Sequence, residues 1–481
     1  MGKKRKKFKK NKANDWMRKR FPGVIADKED TFLLRRTGTA ATLSPFKVAM
    51  CLGEEGSPNA PIRFARESNR FYAYSPNEGI YEDLSEEEVR DRLYQILEEC
   101  AKAVGPEHEK APRSMQSPTH SSQVTSALKG RTRFPDPARN RDLRYVHVQN
   151  GVVDLETLRL RDFSPSLPSA WKLPVPWLDD PPNPPRFWDL MGRLFPEADD
   201  RDLAIEVLAS AFLGNPFQRI VLLSGAPATG KSSLARILSE LLGPGASGLL
   251  QFDQLKERFT PLSWAGRLLL IEPEVEQADL NKGIRALKAI SGHDPMVGDR
   301  KWAPDLTHFT PRALPLLVTN NRVWFNGGSS RKALQRRLMA FDVPEPPIPL
   351  EVDIDFVDNL LKEEGPAILR ILLSEAHRLQ HGKALRPLTA TQLARNAGFL
   401  GIGDELLGWA QDHVSPVKGS AVPRDVAIES ARVWLEQHEM SVPSTPTAWS
   451  RRLKPVMESM GGTWSQSLEG SGKGWRGVAL T

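Results

Sequence analysis

Residues 224–233 read SGAPATGKSS: Gly225, four residues, Gly230, then Lys231 and Ser232. The flanks give this string its meaning. Arg219-Ile220-Val221-Leu222-Leu223 before it is a short apolar run of the kind a buried strand uses. After it, Leu234, Ile237, Leu238 and Leu241 recur at i, i+3, i+4 and i+7, one face of a helix, and Gly243 is a natural stop. Strand, glycine-rich turn and helix are the frame of a phosphate-binding loop. In that frame Gly225, Ala226, Pro227, Ala228, Thr229, Gly230, Lys231, Ser232 and Ser233 wrap the phosphates of a nucleoside triphosphate. Backbone N–H groups of the turn and of the helix N-terminus supply the donors. Lys231 is expected to reach the β- and γ-phosphates, and the Ser232 hydroxyl to ligate Mg²⁺.

Such a loop needs a second strand that brings a carboxylate near the metal. GRLLLIEPEVE, residues 266–276, supplies one: Leu268–Ile271 reads as a buried strand with Glu272 at its C-terminal end. Ligands of open α/β sheets gather at that end. Glu272 is expected to help hold Mg²⁺ or orient the attacking water, with Glu274 as the second candidate. A third strand, Leu316-Leu317-Val318, runs into Thr319-Asn320-Asn321, and the Asn320 amide could meet the γ-phosphate or its water. ALQRRLMAF follows, with Arg336 and Arg337. A guanidinium can stabilise charge on a phosphoryl group in transfer, although an arginine pair alone also fits a solvated face.

The 481 residues allow two to four domains. With 40% hydrophobic and 26% charged residues, the composition is globular. No apolar run reaches membrane-spanning length, and the charged start lacks the apolar stretch of a secretory signal. Cys51 and Cys100, the only cysteines, argue against a disulfide framework or a cysteine zinc site and fit a reducing, cytoplasmic setting. The net charge of +7 is uneven. Residues 1–20 hold eleven Lys/Arg and one acid, which leaves the rest of the chain at about −3. Such a block reads as a disordered tail, for nucleic acid or for solubility alone.

Residues 21–185 are expected to form an α+β unit. RFYAYSPNEGIYEDLSEEEV within it reads as two strands and a capped helix from Ser85. The polar stretch from about 105 to 140 reads as flexible, and LRYVHVQNGVVDLETLRL as a hairpin around Asn150-Gly151. DDPPNPP (179–185) marks a boundary, and the ATPase core spans 186–345. PEPPIPL (344–350) marks another, before a helical segment and a basic linker over 346–400. Asp353-Ile354-Asp355 reads as helix-start acids, not a polymerase metal site.

In residues 401–481, RDVAIESARVWLEQH places Val426, Ala427, Ser430, Val433 and Trp434 near helical spacing. TPTAWSRRLKPVMESM reads as a helix capped by Thr445, opened by Pro446, and kinked or shortened by Pro455. GGTWSQSLEGSGKGWRGVALT alternates into a hairpin with its tip near 470–474. Two helices and a hairpin describe a winged helix, in which Arg451, Arg452 and Lys473 would face DNA phosphates. A winged helix that docks protein is the alternative.

The order GAPATGKSS, RLLLIEPE, LKAISGHDP, LLVTNN, LQRRLMAF resembles the superfamily 3 helicases of the phage/plasmid primase–helicase family, which includes the poxvirus uncoating-type NTPase. The resemblance covers roughly residues 65–481. It implies a multidomain α/β protein: a P-loop AAA+-type ATPase core between an α+β N-terminal domain and a C-terminal winged helix. It matches Lys231 and Ser232 to the Walker A pair, Glu272 to the Walker B acid, Asn320 to the sensor and Arg336/Arg337 to the arginine finger. LKAISGHDPMVGDRKW matches the segment that leads into a DNA-tracking hairpin, with Lys288 upstream and Arg300 and Lys301 near the tip. Where the family often writes Thr-Gly-Gly-Asp, this chain has Ser291-Gly292-His293-Asp294. The hairpin reading also stands on its own chemistry: Arg300 and Lys301 can grip phosphates and Trp302 can stack on a base.

The resemblance implies an ATP- and Mg²⁺-dependent DNA helicase for replication of a mobile element, phage or plasmid. It would work as a homo-oligomer, a hexameric ring, on single-stranded and forked DNA, with a separate primase as a further partner and no membrane. Two alternatives stay open. One is a DNA-stimulated motor without unwinding, for packaging or defence. The other is a replication initiator whose nucleotide site only controls assembly.

Overall fold

The computed structural model describes residues 12–480 apart from 25–32, 36–40, 54–55, 105–111, 114–115, 132–133, 140–141, 253–259, 299–306, 322, 324, 326–330, 346–352, 401–404, 438–441, 444 and 469–471. Its first element, α1 (Lys12–Arg20), corrects the reading of a disordered tail through residue 20. Ala13 and Met17, one turn apart, are fully buried, while Lys12, Lys19 and Arg20 stay exposed. Two apolar residues on one edge pin a helix that its charge alone would leave in solvent. Strands β1 (Leu33–Arg35) and β2 (Ala41–Leu43) pair antiparallel. Helix α2 (Pro45–Leu52) follows, then an antiparallel sheet of β3 (Ile62–Ala65), β4 (Arg70–Ser75) and β5 (Ile80–Leu84).

Helix α3 (Glu86–Val104) starts where Ser85 predicts. Ser85 N donates to the Glu88 carboxylate at 2.7 Å, and Glu88 N donates to Ser85 Oγ at 3.1 Å, a reciprocal capping box. Helix α4 (Pro118–Arg131) occupies part of the stretch whose polarity reads as flexible. It packs through Val124 and Leu128, and its buried Ser121 returns its hydroxyl to Pro118 O. Two buried apolar residues suffice because α2 and α3 supply the rest of that core.

The predicted hairpin is β6 (Tyr145–Val148) and β7 (Gly151–Asp154), extended by β8 (Arg159–Arg161). The Asn150 amide clasps Trp177: Nδ2 donates to Trp177 O at 3.0 Å and Oδ1 accepts from Trp177 N at 2.8 Å. Asp154, fully buried, takes both Nε and Nη2 of Arg144 at 2.9 Å and is also bonded by Arg161. The hairpin's Val146, Val148 and Val153 share one core with Trp171 and Trp177 and with the helices and strands beyond residue 186. The boundary drawn at 185 from DDPPNPP is thus a joint in the chain, and no gap in the packing.

Helices α5 (Pro185–Leu194) and α6 (Ala198–Ala209) lead to β9 (Ile220–Gly225), and α7 (Lys231–Ala246) follows the glycine-rich turn. Its regular dihedrals break at Gly243, as the sequence predicts. Strands β10 (Ser247–Leu249) and β11 (Leu269–Glu272), helix α8 (Gln277–Gly292), and the antiparallel pair β12 (Met296–Gly298) and β13 (Thr307–Phe309) come next. Then follow β14 (Leu314–Thr319), the short α9 (Arg331–Gln335) and β15 (Leu338–Val343). The strands β10, β11, β14, β9 and β15, in that spatial order, form one parallel sheet. Both faces are covered, as parallel sheets require. Val221, Leu223, Leu316, Val318, Met339 and Phe341 face α5, α6 and α7, whereas Leu222, Leu317, Leu338 and Ala340 face α8. The period of two sorts these residues.

Helix α10 (Phe356–Gly382) joins the first of these layers. Its buried Glu364 accepts from Arg186 N at 2.9 Å and Phe187 N at 2.8 Å, so a carboxylate satisfies the N-terminal donors of α5. Asp353 Oδ1 accepts from Asp355 N at 3.0 Å just before α10, in keeping with helix-start acids. Within the expected basic linker lies α11 (Ala390–Phe399), opened by a Thr389/Gln392 capping box. Its Asn396 Oδ1 accepts from Ala340 N at 2.9 Å, and its Arg395 pairs with Asp200 of α6. The linker reading fails because these two polar anchors, absent from an apolar count, fasten the segment to the core.

The C-terminal unit runs helix, strand, helix, helix, strand, strand: α12 (Glu405–His413), β16 (Val414–Pro423), α13 (Arg424–Gln437), α14 (Pro446–Ser459), β17 (Thr463–Leu468) and β18 (Gly472–Leu480). The sheet order is β16, β18, β17 around Trp409, Trp434, Trp449 and Trp475. Thr445 caps α14, accepting from Ala448 N at 3.2 Å. The helix runs through Pro455 to Ser459, against expectation. Burial of Leu453, Val456 and Met457 on either side offsets the lost backbone bond. The buried face of α13 is Ala427, Ala431, Trp434 and Leu435, while Val426 and Val433 stay exposed. Of the residues expected on that face, Ala427 and Trp434 are buried and Ser430 accepts from Trp409 Nε1 at 3.0 Å, whereas the two valines turn outward. Among the described residues, no helix is long and apolar enough to cross a membrane.

Candidate nucleotide-binding site

The loop between β9 and α7 is built by close approach. A Cβ on Gly225 would stand 2.3 Å from Val343 O of the neighbouring strand, so only glycine fits where the chain leaves the sheet. Ala228 (φ 58°) and Gly230 (φ 99°) adopt left-handed conformations on either side of the buried Thr229. Gly230 caps α7, and Lys231 and Ser232 open it. The Lys231 ammonium is folded into the loop: Nζ donates to Gly225 O at 2.9 Å, Ala226 O at 2.6 Å and Thr229 Oγ1 at 3.0 Å. Lys231 is 2% exposed, and burial pushes its pKa down. Pro227, Ala228 and Ser232 are exposed, and Ser233 is half-buried. Donors of the first turn and one cation thus meet at the C-terminal edge of the sheet.

Strand order brings two further predicted residues to that edge. β14 lies between β9 and β11, with Thr319 opposite Ser224 and Leu317 opposite Glu272. Glu272 ends β11 half-buried, and its Oε2 accepts from Phe252 N at 2.9 Å. Glu274, two residues on, is exposed. Asn320 follows β14 with an exposed side chain. The turn that presents it is tied by Thr319, whose Oγ1 lies 2.9 Å from Val275 O and accepts from Asn321 N at 3.1 Å. Thr319 escapes sequence reasoning, since a hydroxyl at a strand end has no pattern. Among the described residues no cluster of three His, Cys, Asp or Glu exists. An exposed hydroxyl and one carboxylate fit Mg²⁺, which takes most of its ligands from phosphates and water. They do not fit a metal caged by protein.

Arg336 and Arg337 stand elsewhere. They precede Leu338, which pairs with Ile220, so they lie at the N-terminal end of the sheet. Arg336 is exposed, and its carbonyl accepts from the Arg219 guanidinium. Arg337 is 7% exposed and donates from Nη1 to Ala333 O at 3.1 Å. Burial, then the adjacent Arg336 charge, pushes the Arg337 guanidinium below its ordinary pKa, while Asp294 opposes them. The pair divides into one presented cation and one structural cation. Arg219 was missed because its partner lies 117 residues away.

Lys288 is half-buried near the end of α8. The predicted hairpin has its stem in β12 and β13, and its tip residues Arg300, Lys301 and Trp302 lie outside the described residues. Arg452 is half-buried on α14, and Lys473 is exposed at the start of β18. Arg451 lies on the same helix, its side chain outside the described residues.

A family described as one of unknown function, DUF5906, matches residues 223–337, from the strand that enters the loop to the arginine pair. No curated protein matches. Among solved structures, the chain is similar to an A-form apo structure of the NrS-1 C-terminal region, at 13% identity and a TM-score of 0.43, over 88% of this chain and 97% of that one. A second apo structure of the same region is 12% identical with a TM-score of 0.44, over 91% of this chain and 99% of that one.

Proposed function

We propose that this chain is an ATP-driven DNA helicase of a mobile genetic element, with a superfamily 3, AAA+-type core. One observation carries the reading: β14, ending at Asn320, lies between the strand of the glycine-rich loop and the strand ending at Glu272. A lysine, a carboxylate and an amide from three segments spread over about 90 residues end on one sheet edge, where α/β folds bind ligands.

In this reading the N–H groups from Gly230 to Ser233 and the Lys231 ammonium hold the triphosphate, and the Lys231 contacts to loop carbonyls give way to phosphate oxygens. Mg²⁺, when bound, draws charge from the β- and γ-phosphates. Ser232 would ligate it, Glu272 would orient it or the attacking water, and Asn320 would position that water. Arg336 would act on the nucleotide of a neighbouring subunit, which supports a ring, hexameric in the resembling helicases. The helix-strand-helix-helix-strand-strand order of the C-terminal unit supports a winged helix, with Arg451, Arg452 and Lys473 toward DNA phosphates. A separate primase would complete the replication machinery in a cytoplasmic setting.

The test is strand displacement on a forked DNA duplex with ATP and Mg²⁺. Displacement that requires hydrolysable ATP supports the helicase. DNA-stimulated hydrolysis without displacement would leave a motor that does not unwind, and absence of hydrolysis would end the enzymatic reading.

A further inference from the structure

A cavity of about 530 Å³ opens at the end of the sheet opposite the phosphate loop. Arg267 stands just before β11 and Arg312 just before β14, and both strands run from there toward the loop edge. His308 and Phe309 of β13 form another wall, so the stem of the predicted hairpin ends in this cavity. Arg139 closes it from the segment between α4 and β6. That wall is tight: a Cβ on Gly266 would stand 1.9 Å from Ala138 O.

Arg139, Arg267 and Arg312 line the cavity with one carboxylate, Glu67, and Arg267 is tied to Ser263 O at 3.1 Å and to Pro244 O. Arg139 is half-neutralised from behind, with Nε 3.4 Å from Asp136 Oδ2, but its buried Nη1 has no hydrogen-bond partner among the described residues. Arg312 is exposed and has no acidic partner among them. Excess positive charge between low-dielectric walls attracts anions. The exposed imidazole of His308 adds a flat face of the kind that bases stack on.

We propose that this cavity takes the phosphodiester backbone of single-stranded DNA that runs along the β12–β13 hairpin, with Arg312 and Arg139 on phosphates. The identity of the polymer rests on the motor reading above; the anion site rests on the cavity.

The experiment is fluorescence anisotropy of a labelled oligothymidylate with the full chain, without nucleotide, across a salt series. Arg312→Gln should weaken binding about three- to tenfold near 0.1 M salt and lower the slope of log affinity against log salt by about 0.7, one phosphate contact. Arg312→Lys should keep the slope and most of the affinity. Basal ATP hydrolysis should be unchanged in both variants. Wild-type affinity and slope in Arg312→Gln would overturn the proposal while leaving the motor reading intact. Inorganic phosphate or a nucleoside monophosphate that displaces the oligomer from wild type but not from Arg312→Gln, at about 1 mM, would reveal a small-anion site and overturn it too. No binding of the oligomer by wild type would sink both readings.

Discussion

Lys231 and Arg336 lie at opposite ends of one pair of parallel strands. Gly225, which leads into the loop of Lys231, is level with Val343, and Ile220 is level with Leu338, which follows the arginine pair. Five residues of strand separate the two levels, roughly 17 Å at about 3.3 Å per residue. A guanidinium side chain does not span that distance, so Arg336 cannot serve the phosphate loop of its own chain. In the proposed ring it would serve a site presented by another copy.

Replacing Lys231 by alanine removes the one cation of the loop. ATP turnover should fall at least about 100-fold, since a donor aimed at transferred charge contributes several kcal/mol. The thermal midpoint should move by only a few degrees, because two of the three acceptors of its ammonium, Gly225 O and Ala226 O, belong to half-buried loop residues. Steady-state hydrolysis and a melting curve on the same sample decide this. Wild-type turnover in the variant would remove the loop from the chemistry.

The two glutamates after β11 make different predictions. Glu272 is anchored through Phe252 N, whereas Glu274 projects into solvent. Glu272→Gln keeps an acceptor for that N–H and should leave nucleotide binding near wild type while cutting turnover about 100-fold or more. Glu274→Gln should leave both nearly unchanged. The reverse result would move the catalytic carboxylate two residues along the chain.

The strand-loop-helix at residues 219–243 was legible because three independent signals coincide there: an apolar run, a glycine spacing and a helical period. The Ser85 box and the Asn150-Gly151 turn were legible for the same local reason. Long-range polar anchors were not. Glu364 on the N-terminus of α5, Asn396 on β15 and Asp200 on Arg395 join residues 56 to 195 positions apart. The last two turn an apparent linker into packed helix. The division of labour between Arg336 and Arg337 was equally hidden. Adjacent residues share every sequence signal, and only the turn before β15 decides which of them is buried.

Asp154 provides a pH prediction. The Arg144 bonds hold its carboxyl below the ordinary carboxylate range in the folded chain. As pH falls, the unfolded chain therefore protonates this group first. The stabilisation is complete above about pH 4 and is lost as pH drops through the lower folded value. Asp154→Asn should cost roughly 2 kcal/mol at pH 7. The gap between wild type and variant, read by denaturant unfolding, should narrow below about pH 4. A gap of constant size down to pH 2 would mean that the charge contributes nothing.

The last prediction tests the neighbour's site. A Lys231→Ala subunit keeps Arg336 but lacks a working loop, and an Arg336→Ala subunit keeps the loop but lacks the presented cation. Each alone should be nearly inactive, since a guanidinium supplied across an interface contributes about 10³–10⁵ in rate. Mixed, the two should form some interfaces that join an intact loop to an intact Arg336, and ATP hydrolysis should rise and then fall as the ratio is varied. Arg337→Ala behaves differently, because its side chain is buried against Ala333 O. It should lower the melting temperature, and its remaining folded fraction should not complement Lys231→Ala any better than wild type does. Mass photometry of differently tagged subunits establishes that they exchange. If they exchange and no ratio restores hydrolysis, Arg336 is not the residue that crosses the interface.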